Sequence, residues 1–241
     1  MEAEVARARM VELAPAGFEE VELDDMLELA VYTDAEGEER IAAAFASSSS
    51  TRVEPGWEDR WREFHRPARA GGLWIGPPWE EPPAGEPAVV VDPGRAYGTG
   101  AHPTTRACIE LLAAQPRGSI LDAGCGSGVI AVGAARFGFA PVLAVDSDPV
   151  AVEVALETAR RNAVEIEAWA ADAVTDELPA VDLVVANIEL RAVERLLLRR
   201  PAAVAITSGY LGAETPSAPG WARAARLELE GWAADVFRAR T

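Results

Sequence analysis

The stretch from Ser119 to Asp148, SILDAGCGSGVIAVGAARFGFAPVLAVDSD, constrains the fold more than any other. An apolar run, SILDA, enters glycines at alternate positions, Gly124, Gly126 and Gly128. The amphipathic run VIAVGAARFG follows, and a second strand-like run, PVLAV, ends on Asp146. These residues read as one βαβ unit, with a tight glycine turn after its first strand and an acid at the tip of its second. That layout holds a nucleoside at the carboxyl ends of parallel strands. Glycine lets the backbone turn sharply and come close to a ligand. An acid at the second strand's tip can accept both ribose hydroxyls.

Two nucleoside cofactors use this layout. Read from Gly126, GSGVIA fits the dinucleotide pattern G-x-G-x-x-G/A, with Asp146 at the spacing expected of the ribose acid. Asp122 argues for the other cofactor. It stands two residues before the first glycine, where a dinucleotide would place its anionic pyrophosphate. S-adenosylmethionine has no phosphate and carries an ammonium and a sulfonium, so a carboxylate there suits it and repels a diphosphate. The pattern D-x-G-x-G-x-G resembles the first motif of Rossmann-like methyltransferases.

A chain of 241 residues suits one medium domain plus a small one, and 49% hydrophobic residues supply an ample core. The net charge of −17 argues against nucleic acid or an anionic membrane as a direct partner, and attracts a basic protein. There is no lysine, so all 22 residues counted as Lys or Arg are arginine. Richness in Ala, Gly, Arg and Pro attributes this to codon bias; the sharper alternative is a lysine-modifying enzyme that avoids modifying itself. Cys108 and Cys125 make no disulfide framework, and with two histidines they give no zinc pattern, so no metal is expected. The start, MEAEVARARM, shows no signal peptide, and no apolar run reaches the length of a membrane span. The expectation is a cytoplasmic monomer.

Three parts follow along the chain. Residues 1–54 read as a small α+β module: a helix to about residue 15, the strands GFEEVEL and MLELAVYT around Asp24 and Asp25, and the helix EGEERIAAAFA. The serine run 47–50 reads as a helix end or loop. Residues 55–87 form a connector rich in Trp and Pro. Trp57, Trp61 and Phe64 fall at helical spacing and are expected to pack onto the larger domain, with a substrate-contacting surface as the alternative. The prolines from Pro77 to Pro87 imply an extended hinge. The larger domain, 88–241, alternates strands and helices, which implies an open, doubly wound α/β sheet. Asp148 and Pro149 read as N-cap and first residue of a helix, which accounts for the Asp146–Asp148 acids without a metal. VDLVVANI ends a strand on Asn187, IEAWAAD ends another on Asp172, and LELEGWAADVFRA supplies two antiparallel strands around Gly231.

Several segments resemble the PrmA-type methyltransferases, which modify lysines and the N-terminal amine of large-subunit ribosomal protein eleven. They are WEDRWREFHRPARAGGLWIGPPWEEP, DPGRAYGTGAHPTTRACIELL, ILDAGCGSGVIAVGAARFG, AVDSDPVAVEVALETARRN and DLVVANI, covering residues 57–188. AYGTGAHPTT is the specific one, since the glycine motif belongs to all Rossmann-like methyltransferases. The resemblance implies a ferredoxin-like N-terminal domain before the Rossmann-like methyltransferase domain. It also implies S-adenosylmethionine as cofactor and a basic ribosomal protein as substrate. Carried over by position, the cofactor falls at Thr105, Gly124, Asp146 and Asn187, with Gly126 and Asp122 in the same turn. Asp172 resembles the acid that reaches the adenine amino group, or is a solvated strand end. Thr105 otherwise caps the RACIELL helix. His102 is a candidate base or a structural loop residue.

Asn187 is expected to hold the acceptor amine, or else only to cap a strand end. The opening strand of the family's first domain is not visible, and AETPSAPGWARAA is broken by prolines where the family has a helix. Both departures bear on substrate recognition. The alternatives are a methyltransferase for another protein or a small molecule, and a catalytically silent cofactor-binding module.

Overall fold

The computed structural model describes residues 6, 9–10, 13–14, 19–23, 26–31, 33–45, 47–51, 65–93 and 98–240. The chain divides into two compact units, Met1–Glu58 and Asp59–Thr241.

In the first unit β1 (Glu19–Leu23) pairs antiparallel with β2 (Met26–Ala30), Leu23 facing Met26 across the turn. The turn acids Asp24 and Asp25 lie outside the described residues. Helix α1 (Ala35–Ala44) starts where Asp34 accepts the Gly37 N–H at 2.9 Å, which satisfies one of the free amides of its first turn. Arg9 donates to the Ala44 carbonyl and Arg40 to that of Leu13, tying the helical residues near Met10 to α1. The serine run is irregular, as expected of a loop.

The second unit contains a small sheet that the sequence does not announce. β3 (Ala68–Ala70) pairs antiparallel with β4 (Leu73–Gly76), and β4 pairs parallel with β5 (Ala88–Val90). Gly71 and Gly72, at φ +58° and +82°, make the hairpin turn, and all of β4 is buried. The described part of the Trp- and Pro-rich stretch is thereby drawn into the second unit. Trp57, Trp61 and Phe64 lie outside the described residues.

The main sheet has seven strands: β6 (Ile120–Ala123), β7 (Val142–Asp146), β8 (Glu167–Ala170), β9 (Val181–Asn187), β10 (Ala202–Leu211), β11 (Trp221–Leu229) and β12 (Trp232–Ala239). Their order is β11-β12-β10-β9-β6-β7-β8. All neighbours from β10 to β8 are parallel; β12 runs antiparallel to both β10 and β11. Central parallel strands must be largely apolar on both faces, and apart from Asp122 of β6 the buried residues of β6, β7 and β9 are. In β9, Leu183 and Val185 join one core, Val184 and Ala186 the other. Helices α2 (Pro103–Ala113), α3 (Val129–Phe137) and α4 (Pro149–Arg161) cover the first face, and α5 (Leu190–Arg199) covers the second. This is the doubly wound α/β architecture expected.

The closing strands meet at Glu230 and Gly231, with φ +52° and +84°, the backbone that a two-residue hairpin loop requires. Between β10 and β11 the chain is irregular, so the proline-broken segment contains no helix. Chain direction outward from the centre reverses between β6 and β9. A ligand crevice belongs there, at the strands' carboxyl ends.

Candidate functional site

The crevice is built on the glycine turn between β6 and α3. Gly124, Gly126 and Gly128 all take left-handed conformations, with φ of +78°, +50° and +75°. The turn is stitched to β7 by the Gly124 and Cys125 amides, which donate to the Val145 carbonyl at 2.8 and 3.0 Å. A Cβ at Gly124 would lie 2.4 Å from Cγ2 of Ile188, and one at Gly128 would lie 2.8 Å from the Ala155 backbone. Both glycines are therefore required by close approach as well as by φ.

Asp146 stands at the tip of β7, half-buried. Its Oδ2 accepts the Gly126 N–H at 2.9 Å and its Oδ1 accepts the Asp148 N–H at 3.0 Å. The acid is thus held against the turn with lone pairs to spare. Asp148 in turn accepts the Val150 N–H at 2.8 Å, with Pro149 as first residue of α4, which is the capping role expected of it.

Asp122 lies beneath the turn, only 1% exposed, so it does not face a ligand from an open surface. Its Oδ2 accepts the Ala131 N–H in the first turn of α3 at 3.0 Å. Its Oδ1 is buried with no hydrogen-bond partner among the described residues. Burial pushes this carboxyl up to about 7, against the pull of the Ala131 amide and with the help of the nearby Asp146 charge. The positive end of a helix is where a pyrophosphate would bind. Here a carboxylate already occupies it. A buried carboxylate with one free oxygen fits a cation and disfavours a diphosphate. The residues present therefore fit an ammonium- and sulfonium-bearing nucleoside.

On the other side of the crevice, Asn187 ends β9. Its Nδ2 donates to Thr105 Oγ1 at 3.3 Å. Thr105 is 2% exposed, in the first turn of α2. It does not cap that helix. His102 does, its Nδ1 accepting the Thr104 N–H at 3.4 Å, with Pro103 as the first helical residue. The helix begins earlier than RACIELL because Pro103 is pre-set for a first helical position. Asp172 follows β8 and is exposed. Its Oδ1 accepts the Val174 N–H at 2.7 Å, which holds its pKa below the usual carboxylate range. That carboxylate caps its own turn.

A profile of the family described as "Ribosomal protein L11 methyltransferase (PrmA)" matches residues 11–233. The chain belongs to this family. A "Ribosomal protein L11 methyltransferase" of Symbiobacterium thermophilum is 44% identical over 140 residues, 56% of this chain and 46% of that one. One from Herpetosiphon aurantiacus is 48% identical over 120 residues, 48% of this chain and 37% of its own. The chain spans about half the length of the curated relatives it matches. A solved "ribosomal protein L11 methylase" from Lactobacillus delbrueckii subsp. bulgaricus superposes with a TM-score of 0.62 at 25% identity. That match covers 70% of this chain and 96% of the other.

The candidate site thus gathers Asp122, Gly124, Gly126 and Asp146 around the turn, with Thr105 and Asn187 joined by a hydrogen bond opposite. Ile188, next to Asn187, links the halves by packing on Gly124. Asp172 lies one strand out, where the Ala171 N–H donates to the Asp146 carbonyl. Sequence reasoning missed Trp232, whose ring meets that of His102 edge to face at 5.0 Å. Period-2 reading from Gly231 would have set Trp232 on the same face as Ala234 and Val236, toward α2. Cys108 and Cys125 are buried free thiols, and burial pushes both well above the usual thiol range. Among the described residues no helix is long and apolar enough to cross a membrane.

Proposed function

We propose that this chain transfers a methyl group from S-adenosylmethionine to lysine and N-terminal amines of a basic large-subunit ribosomal protein, in the cytoplasm. The reading rests on one observation above all: the half-satisfied Asp122 carboxylate at the start of α3, in a chain of the L11 methyltransferase family. S-adenosylmethionine, when bound, supplies an electrophilic methyl group on its sulfonium. Gly124 and Gly126 leave room for it, Asp146 accepts from its ribose, and Asp122 balances its positive charge. A lysine amine has an ordinary pKa of about 10.4 and must reach the site without its proton. Thr105 holds the Asn187 amide so that Oδ1 can accept an N–H of the neutral amine, aiming its lone pair. Alignment of two reactants can itself supply several kcal/mol. Asp172 is the outermost contact, near the adenine end. The net charge of −17 draws the basic protein in.

Calorimetry with S-adenosylmethionine and with NADH tests the cofactor, and labelled methyl transfer to ribosomal proteins tests the substrate. Binding of the first ligand alone and one labelled basic protein are expected. NADH binding alone would defeat the methyltransferase reading, and label only on a small molecule would redirect it.

The roles are divided along the chain: 1–54 recognises the protein substrate, and 88–241, together with the β3–β4 hairpin of the 55–87 stretch that folds into the second unit, binds cofactor and reacts. A chain beginning near Gly56 is expected to keep S-adenosylmethionine affinity and lose most transfer to the protein. Undiminished transfer would show that the first module does not recognise the substrate.

A further inference from the structure

Next to Asn187 lies a buried polar network that neither caps an element nor touches the glycine turn. Tyr210, 1% exposed, carries a hydroxyl 2.7 Å from Thr207 Oγ1 and 3.0 Å from Asp235 Oδ2. Asp235 is fully buried on β12 and also accepts from Arg226 Nη1 at 3.1 Å. A second guanidinium nitrogen, Nη2, donates to the Gly212 and Glu214 carbonyls at 2.6 and 2.7 Å, pinning the loop after β10, and Nε donates to Glu228 at 2.9 Å. Asp235 Oδ1 has no hydrogen-bond partner among the described residues and lies 3.7 Å from Arg223 Nη1, an ion pair. Buried ionic groups of this kind are often no more stabilising than well-packed apolar residues, so stability alone does not account for the network.

Its placement does. Ser208 of β10 is the register partner of Asn187, and β10 bulges between Ser208 and Tyr210. The bulge puts Gly209 at φ +100°, where a Cβ would lie 2.0 Å from the Ile188 carbonyl oxygen. On its other side, Ile188 packs on Gly124. Ile188, the residue that follows Asn187, is thus held between a glycine of the cofactor turn, against its side chain, and a glycine of β10, against its backbone. Bulges re-aim chains beside active sites.

We propose that Tyr210 and Asp235 are positioning residues for the methyl transfer: by anchoring the bulge at Gly209 they fix the Asn187–Ile188 peptide against the glycine turn. The inference rests on the transfer proposed above. Tyr210→Phe removes one hydroxyl and keeps the ring. At saturating cofactor and protein its turnover is expected to fall about tenfold, because small misplacements of a reacting group are costly, while cofactor Kd stays within about twofold. Asp235→Asn should show the same split.

In an Asn187→Ala background, Tyr210→Phe should cause no further loss, because its effect runs through Asn187. Without any ligand, hydrogen exchange of the Ile188 amide should quicken in Tyr210→Phe while Leu121 and Val145 are unchanged. Equal turnover of Tyr210→Phe and an active parent overturns the proposal. So do multiplicative losses with Asn187→Ala, or unchanged exchange at Ile188. An inactive parent defeats the transferase reading instead, and the exchange measurement then decides the mechanical link by itself.

Discussion

Asn187→Ala is expected to lower turnover about 100-fold even when cofactor and protein both saturate, a loss typical of removing one group that acts mainly in the transition state. Asp146→Ala is expected to behave oppositely. Asp146 is proposed to hold the ribose equally in ground and transition states, so its loss should weaken cofactor binding by roughly 1.5–3 kcal/mol. Raising the cofactor concentration should then restore most of the rate, because uniform binding was lost. The geometry supports the separation. Asp146 is engaged with the turn amides of Gly126 and Asp148, on the cofactor side. Asn187 is engaged with Thr105 across the crevice. Kinetic profiles against cofactor concentration for the two variants decide the matter. Rescue of Asn187→Ala and not of Asp146→Ala would reverse the two roles.

What could be read in the sequence was local. The βαβ unit, the acid at the tip of β7, the Asp148 cap and the hairpin at Gly231 each depend on residues within a few positions of one another. Their signals are glycine spacing, a period of two, and cap chemistry. What could not be read depends on pairing at a distance. β3 and β4 hide among prolines and tryptophans: they pair with each other as a hairpin, and β4 is held in place by parallel pairing with β5, which no local pattern announces. The cap of α2 passes from Thr105 to His102 because the helix starts at Pro103, which frees Thr105 for Asn187, 82 residues on. Asp122 reads in sequence as an acid beside the bound ligand; its burial beneath the turn, on the face shared with Ile120, and its bond to the Ala131 amide of α3 are seen only in the fold. Tyr210 and Asp235 meet only because β12 folds back on β10.

Asp122→Asn should separate binding from stability most sharply. The folded-state pKa of Asp122, about 7 against an ordinary 3.8, is raised chiefly by burial. Between those values the folded chain holds a proton that the unfolded chain has released. The group therefore favours folding below about pH 3.8, and that contribution is lost as pH rises through about 7. The displacement corresponds to roughly 4 kcal/mol over the whole window. Asparagine does not titrate, so the variant should lack this component of the pH dependence. Its amide can still accept the Ala131 N–H, but its NH₂ lacks a partner, which costs about 1–3 kcal/mol. At pH 8 the variant is thus expected to be the more stable protein by about 1–3 kcal/mol in chemical denaturation, the difference of those two effects. At pH 4 its advantage should disappear. Cofactor affinity should move the other way, about tenfold or more weaker at pH 8, because a charged partner for the ammonium is gone. In the parent, affinity should fall between pH 8 and pH 5 as Asp122 takes up its proton, and in Asp122→Asn it should stay flat. Parallel stability curves for the two proteins would show that Asp122 is not the titrating group. A parent affinity independent of pH would show that its carboxylate does not meet the cofactor's positive charge.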